Sequence, residues 1–526
     1  MGKTLLVLYN YTMRPVVLTI LDGWGYSAQK IGNAISNAYT PNMDFIATNY
    51  PSLLLQASGK AVGMTWGEAG NSEVGHLTLG AGRSVFQYLS RINKAVENGE
   101  FFTNPALKQA VDTVQQNKSK LHFVGLLTSG SVHAHFNHIL ALVKLAQKNN
   151  IPQVKLHLFT DGKDSGLKEG KIILTKLQEY IKDIPTVKIA TIIGRDYSMD
   201  RNNNWNLIEK SYNLLTRGDG VKTDDPLQKL GEYYAGGITD SKIPALVLDS
   251  SGLIEPGDAM VFFNFREDSM RQLARAFVDV NLESFSKSKI DNLLVVGMTE
   301  YIIDPAFLVA FPIPEINNGL AEYLSLNGKT QLHIAETEKY AHVTYFFNSL
   351  KSRTFTGETD IFIKSTRKAE DEPEMMANEI LAKTTEELQR DFYDFLVINF
   401  ANADIVAHSG NLDKTTRGVE TVDSCIGKLK EAIFAKDGIL IITADHGNAE
   451  SLSYKGGEAE TRHNLSPVPF YIVVKEYERP RSPEELQQSF SSIAGLIADV
   501  APTILEIMGL PKPPEMTGES LFRVLK

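Results

Sequence analysis

The chain has 526 residues, 43% of them apolar and 22% charged, with a formal net charge of −10. That length exceeds one ordinary core and predicts two domains, or three, of ordinary globular composition. The net acidity, with no concentrated basic tract, excludes a nucleic-acid surface as the main business and leaves room for a local basic pocket that takes a small anion.

From the N-terminus, residues 1–13 read as an extension, with Met13 an alternative start. Its apolar core, Leu5-Leu6-Val7-Leu8-Tyr9, is too short for a good secretory signal, and no run in the chain is long enough to span a membrane. Short β-branched runs then recur at 16–21, 121–127, 154–159, 187–193, 259–265, 292–296, 395–400, 438–443 and 469–474. Continuous apolar runs of this length predict strands buried on both faces. Their alternation with helix-length segments predicts an α/β architecture with largely parallel sheets. The single cysteine, Cys425, falls in a helix-like run at 418–435, allows no intramolecular disulfide and suits a reducing cytosol.

The residues just past these runs are more informative. Asp22-Gly23 ends the first. Gly70-Asn71-Ser72-Glu73-Val74-Gly75-His76 reads as a short polar loop, and Gly70, Gly75 and the nearby Gly67 permit close backbone approach or positive φ. Ser72 is a nucleophile only if distant residues activate it; alone, the stretch reads as a surface turn. Ser131-Val132-His133-Ala134-His135 lies past the next run, and one of its two histidines is expected to contact a ligand. Thr160-Asp161-Gly162-Lys163-Asp164, Gly194-Arg195 and Asn264-Phe265-Arg266 end three more. Lys339 lies in the 335–342 stretch, as a phosphate contact or an ordinary helix-face lysine. Asp404 and His408 come after 395–400, and Asp445-His446-Gly447-Asn448 after 438–443. Ligands of open α/β sheets bind beyond the carboxyl ends of the strands.

These residues sort by sign. Asp22, Asp404, His408, Asp445, His446 and His463 lie toward the two ends of the chain, and Lys163, Arg195, Arg201, Arg266 and Arg271 in its middle. The expected layout is a metal domain of residues 14–86 and 316–526, with a cationic, anion-binding domain of residues 91–311 inserted. If helical, Asp404 and His408 share a face at i, i+4 and chelate one ion. Asp445 and His446 suit two ions, or one ion and a supporting hydrogen bond, and His463 can complete a site. Mixed Asp/His ligation suits Mn²⁺ or Zn²⁺ better than Mg²⁺. A metal pair would activate Ser72 and neutralise a transferring phosphoryl group. The arginine forks suit carboxylate or phosphate oxygens.

Leu21-Asp22-Gly23-Trp24-Gly25, the 70–76 stretch with Gly80-Ala81-Gly82-Arg83, Phe262-Phe263-Asn264-Phe265-Arg266, 335–342, Asn399-Phe400-Ala401-Asn402, 444–448 and Arg462-His463-Asn464 together resemble the cofactor-independent (2,3-bisphosphoglycerate-independent) phosphoglycerate mutases. The resemblance runs from about Arg14 to the C-terminus; its first and last segments alone indicate the wider alkaline-phosphatase-like superfamily. It implies a discontinuous alkaline-phosphatase-like metal domain with an inserted α/β substrate domain. The implied enzyme is cytoplasmic and monomeric, with no nucleic-acid or membrane partner. It interconverts 3-phosphoglycerate and 2-phosphoglycerate in glycolysis and gluconeogenesis without 2,3-bisphosphoglycerate. By resemblance, Asp404, His408 and His463 hold one divalent ion, usually manganese, and Asp22, Ser72, Asp445 and His446 a second. Ser72 accepts the phosphoryl group. His133, Asp164, Arg195, Arg201 and Arg266 match substrate residues, with Asp164 the candidate base, and Lys339 matches a lysine near the phosphoryl group.

The sequence departs from the family at four places. Lys163 stands for an arginine, Ser165-Gly166-Leu167 for Thr-Pro-Pro, Ser269 for a second arginine (Arg271 is close) and Ser129 for an aspartate. Lysine keeps the charge but loses the bidentate fork. The departures leave a metal-dependent phosphohydrolase, or a mutase for another phosphorylated small molecule, as the second reading. A non-catalytic relative is the third.

Overall fold

The computed structural model describes residues 14–525, apart from 370, 455 and 456; the 1–13 extension and Met13 lie outside the described residues. The chain divides into two compact units, the residues to Gln87 with those from Glu315 onward, and Tyr88–Pro314.

The first unit is built on an eight-stranded sheet. Val16–Leu21 lies at its centre, parallel to Phe395–Phe400 on one side and to Ile439–Thr443 on the other. All three strands are buried throughout, which is why they read as nearly continuous apolar runs, with only Thr19, Asn399 and Thr443 polar. Burying one such Val, Leu or Ile side chain contributes about 1.5–3 kcal/mol. Leu21 is in register with Phe400, and Ile20 with Thr443. The chain therefore leaves all three strands along one edge, where Asp22, Asp404 and Asp445 follow. Gln331–Glu336 and Glu358–Ile363 extend the sheet in parallel beyond Phe395–Phe400. On the other side Val468–Val473 runs antiparallel to Ile439–Thr443 and to Ser52–Gln56, so the sheet is mixed.

The second unit has its own eight-stranded sheet and core. Ala259–Phe262, Leu121–Leu127, Val154–Thr160 and Val187–Gly194 lie side by side in parallel. The 259–265 run stops as a strand at Phe262, because Phe265 N turns to donate to the His133 carbonyl.

The polar loop expected at 70–76 is a helix. Asn71 caps Ser72–Ala81, its side chain accepting from Val74 N at 3.0 Å. The Asn cap ahead of buried Val74, Leu77 and Leu79 is the signal that the glycines masked. Of those glycines only Gly67 takes a positive φ. Gly75 is needed for close approach to protein: a Cβ there would meet the Asp445 carbonyl oxygen at 2.6 Å. Gly23 has φ +72°, and a Cβ on it would meet Asp404 at 2.8 Å. Cys425 is buried on the helix Leu412–Ala435, and burial pushes its thiol up to about 11.

Candidate active site

In the first unit, Ser72 is the first residue of its helix, Asp404 lies on the short helix Asn402–Ala407, and Lys339 ends the turn Thr337–Lys339. These elements and the strand ends bring the predicted residues into two adjoining groups. Ser72 Oγ lies 3.0 Å from Asp22 Oδ1 and 3.1 Å from His446 Nε2. His446 Nε2 is also 3.4 Å from Asp22 Oδ1 and 3.6 Å from Asp445 Oδ2. In the other group, Asp404 Oδ1 lies 3.3 Å from His408 Nε2 and 3.1 Å from His463 Nε2. His446 joins the two, 3.9 Å from Asp404 Oδ1.

The donor chemistry fits cations. His408 Nδ1 donates to the Thr461 carbonyl and His463 Nδ1 to the Gly70 carbonyl. Both Nε2 lone pairs therefore converge, with a carboxylate, on one point. Beside Ser72, buried Asp445 Oδ2 has no hydrogen-bond donor of its own. Each group supplies the mixed Asp/His set that suits a divalent ion.

Lys339 is buried among these carboxylates. Its Nζ donates to Asp22 Oδ1 at 2.7 Å, to Asp404 Oδ2 at 2.7 Å and to Ser72 Oγ at 2.5 Å. Burial opposes the ammonium charge, but Asp22, Asp404 and Asp445 outweigh it and hold the group above its ordinary value. Burial likewise opposes ionisation of Asp22 and Asp404, yet Lys339 and the histidines hold both well below the carboxylate range. His446, against the same burial, is raised to about 9 by Asp445, Asp22 and Asp404.

Four supporting residues have no role that the sequence alone reveals. Asn399 Nδ2 donates to Asp22 Oδ2 at 2.8 Å and lies 2.9 Å from His76 Nε2. His76 Nδ1 donates to the Ser72 carbonyl and lies 3.1 Å from Asp445 Oδ2. Asn448 Nδ2 donates to Asp404 Oδ1, and Glu450 accepts from Gly25 N and Asn448 N. Each sits in or beside one of the family motifs, but only the fold reveals which carboxylate it orients.

In the second unit, His133, Lys163, Asp164, Arg195, Arg201, Arg266 and Ser269 are among the residues lining a cavity of about 590 Å³. Asp164 lies 2.6 Å from His133 Nδ1 and 3.0 Å from Arg195 Nη1. Burial works against its charge, but these partners hold its carboxyl below the usual range. Arg201 and Arg266 both reach Asp268 Oδ2, at 2.6 and 3.2 Å. His135 is drawn out of the cavity to the N-terminus of Phe136–Lys148, where its ring faces His138. At the departures, Lys163 pairs with Asp196 at 2.5 Å, and Ser269 presents a buried, unpartnered hydroxyl. Arg271 begins the helix Arg271–Val278 and is not among the lining residues.

The profile of the Metalloenzyme superfamily matches residues 14–512, so the fold and the clustered acids and histidines are those of a metalloenzyme of that superfamily. A 2,3-bisphosphoglycerate-independent phosphoglycerate mutase of Cyanothece sp. is 43% identical over 515 residues, covering 97% of this chain and 96% of the relative. Another, from Methanococcoides burtonii, is 43% identical over 526 residues, covering 98% and 99%. The chain belongs to the family of 2,3-bisphosphoglycerate-independent phosphoglycerate mutases. A crystal structure of Leishmania mexicana phosphoglycerate mutase at low cobalt concentration matches with a TM-score of 0.64 and 29% identity, covering 97% and 98% of the two chains. The resemblance read from the motifs thus holds over nearly the whole length.

Proposed function

We propose that this chain interconverts 3-phosphoglycerate and 2-phosphoglycerate without 2,3-bisphosphoglycerate, by passing the phosphoryl group through Ser72. The observation that carries this reading is the convergence of Asp22, His446 and Lys339 on Ser72 Oγ. Asp404, His408 and His463 would hold one divalent ion and Asp22, Ser72, Asp445 and His446 a second; the donors suit Mn²⁺ or Zn²⁺, and the family resemblance favours manganese. When bound, such ions lower the pKa of the serine hydroxyl and offset phosphoryl charge.

The residues of the chain do the rest. Ser72 donates its proton toward Asp22 while Lys339 donates to the same oxygen, so charge developing on Oγ is stabilised. Oγ forms the new bond to phosphorus as the bond to the glycerate oxygen breaks, and the proton released by Ser72 ends on that oxygen. In the return step the other glycerate oxygen bonds phosphorus as the Oγ–P bond breaks, and the proton it gives up restores the Ser72 hydroxyl. Glycerate is held through its carboxylate by Arg195, Arg201 and Arg266 in the cationic cavity, with His133 and Lys163 beside them. Asp164, beside His133 and Arg195, is the candidate base for the glycerate hydroxyls.

The second reading, a phosphohydrolase or a mutase for another phosphorylated small molecule, draws on the Lys163–Asp196 pair and on Ser269. Purified protein with Mn²⁺ and 3-phosphoglycerate alone should yield 2-phosphoglycerate. Phosphate release in preference to isomerisation would favour the second reading, and no conversion across metals and pH would sink the first. A cytoplasmic monomer belongs to the same proposal. No helix among the described residues is long and apolar enough to cross a membrane.

A further inference from the structure

Lys339 reaches Ser72, Asp22 and Asp404 from the single turn Thr337–Lys339. That turn follows Glu336, the last residue of Gln331–Glu336. The parallel neighbour, Glu358–Ile363, leads two residues on to Ser365. Ser365 N donates to Thr337 Oγ1 at 2.8 Å. Ser365 Oγ lies 2.9 Å from Glu336 Oε2 and 2.5 Å from Glu338 Oε2. One serine thus grips each of the three residues that precede Lys339.

The two carboxyl contacts require a proton that serine cannot supply. A serine hydroxyl has one hydrogen and donates to one oxygen only. Its contact with the other carboxyl is attractive only if that carboxyl carries a proton and donates to Oγ. Glu338 is exposed to water, and 2.5 Å is the length of a hydroxyl donating to a carboxylate. Glu336 is fully buried, and its Oε1 meets Met376 N at a long 3.4 Å. The charged groups that face it are Glu338 on its own turn and Glu379 on the helix Ala377–Leu388, both acidic. The nearby Arg367 pairs with Glu372 and Glu379, and Lys339 turns away to Asp22 and Asp404. The buried carboxyl is therefore the one that keeps a proton. Burial, with Glu338 and Glu379, also raises it above its ordinary value.

We propose that Glu336, held as a neutral acid, is a positioning residue for Lys339. Its O–H donates to Ser365 Oγ, Ser365 donates to Glu338, and this chain fixes the turn that aims Lys339 Nζ at Ser72. Without the proton, two carboxylates face one hydroxyl hydrogen, the clamp opens and the ammonium loses its aim. The consequence for turnover rests on the mutase reading; the proton and the clamp do not.

Infrared difference spectra of the unaltered protein against Glu336→Gln at neutral pH should show the C=O band of a protonated carboxylic acid, lost in the variant. No such band overturns the proposal. Removing the clamp by Glu336→Ala or Ser365→Ala should lower kcat about 10- to 100-fold with KM little changed. Glu336→Gln, whose amide donates to Ser365 Oγ without titrating, should restore kcat. The unaltered protein should lose kcat on the alkaline side as Glu336 gives up its proton, and Glu336→Gln should not. Superimposable pH profiles, or an unchanged kcat in both clamp variants, overturn the positioning role. An unaltered protein with no mutase turnover sinks that reading alone. A crystal structure of Ser365→Ala then decides the clamp: it stands if Lys339 Nζ has left Ser72 Oγ and falls if all three Lys339 contacts remain.

Discussion

His408 Nε2 and His463 Nε2 face one another at 3.1 Å, each ring fixed from behind by a carbonyl that takes its Nδ1 proton. Two lone pairs at that distance repel unless a cation lies between them. Chelation should therefore abolish activity and also destabilise the fold, with Mn²⁺ restoring both. At free metal about 100 times Kd, each ion that binds only the folded chain adds about 2.7 kcal/mol. Thermal melts with chelator and with graded Mn²⁺ measure this, and a melting temperature indifferent to metal would contradict it.

Ser72→Ala should remove phosphoryl transfer while the Asp404 metal site stays loaded. The carboxylates and imidazoles are positioned by strand ends and helices that do not depend on the hydroxyl. The expected result is activity at background with Mn²⁺ binding retained at the Asp404 group. Substantial residual turnover would remove Ser72 from the nucleophile role.

Asn399 orients Asp22 from behind while its amide also faces His76. Asn399→Ala frees the Asp22 carboxylate to rotate and leaves His76 without that neighbour. Loss of such a supporting contact commonly costs 10–100-fold in metal affinity or activity, and roughly that loss is expected here. Mn²⁺ titration monitored by calorimetry reads it out, and wild-type affinity would show that Asn399 serves packing alone.

The central strands were legible because they are buried on both faces and almost wholly apolar, with Thr19, Asn399 and Thr443 their only polar residues. Gln331–Glu336 and the edge strand beside it, Glu358–Ile363, were not, since polar residues such as His333, Glu358 and Asp360 interrupt their apolar pattern. Asp22, Asp404 and Asp445 could be read as a group because each lies just past a strand of one parallel set. The helix at Ser72 was hidden by glycines that serve close packing rather than a turn. His76 and Asn399 could not be assigned, because nothing in a linear pattern says which carboxylate a buried amide or imidazole will reach.

Glu336 is fully buried at the end of its strand, 2.9 Å from Ser365 Oγ. Burial, with Glu338 nearby, raises its carboxyl from 4.5 to about 7. The folded state thus holds this proton more tightly than the unfolded one. The resulting stability is fully present below about pH 4.5 and is lost as pH rises through about 7, a change on the order of 3 kcal/mol. Glu336→Gln keeps the protonated shape without titrating. Relative to wild type, the variant should gain stability between about pH 5 and about pH 8 in urea unfolding. Parallel pH profiles for the two proteins would refute the shift.

Lys163 and Asp196 form an ion pair at the wall of the cationic cavity, with the Lys163 side chain 56% exposed. In the unliganded cavity this pair holds the ammonium that stands where the family has an arginine, so an anionic substrate must compete with Asp196 for it. Asp196→Asn keeps the side chain's size and releases Lys163. The gain is bounded by what an exposed ion pair is worth, about 0.2–1 kcal/mol, which corresponds to a fall in KM for 3-phosphoglycerate of at most roughly fivefold. Because Asp196 lies outside the Ser72 group, kcat should change little. Steady-state kinetics at low ionic strength, where the pair is least screened, give the clearest reading. A raised KM would mean that Asp196 holds Lys163 in its working position, and the pair would then count as part of the clamp.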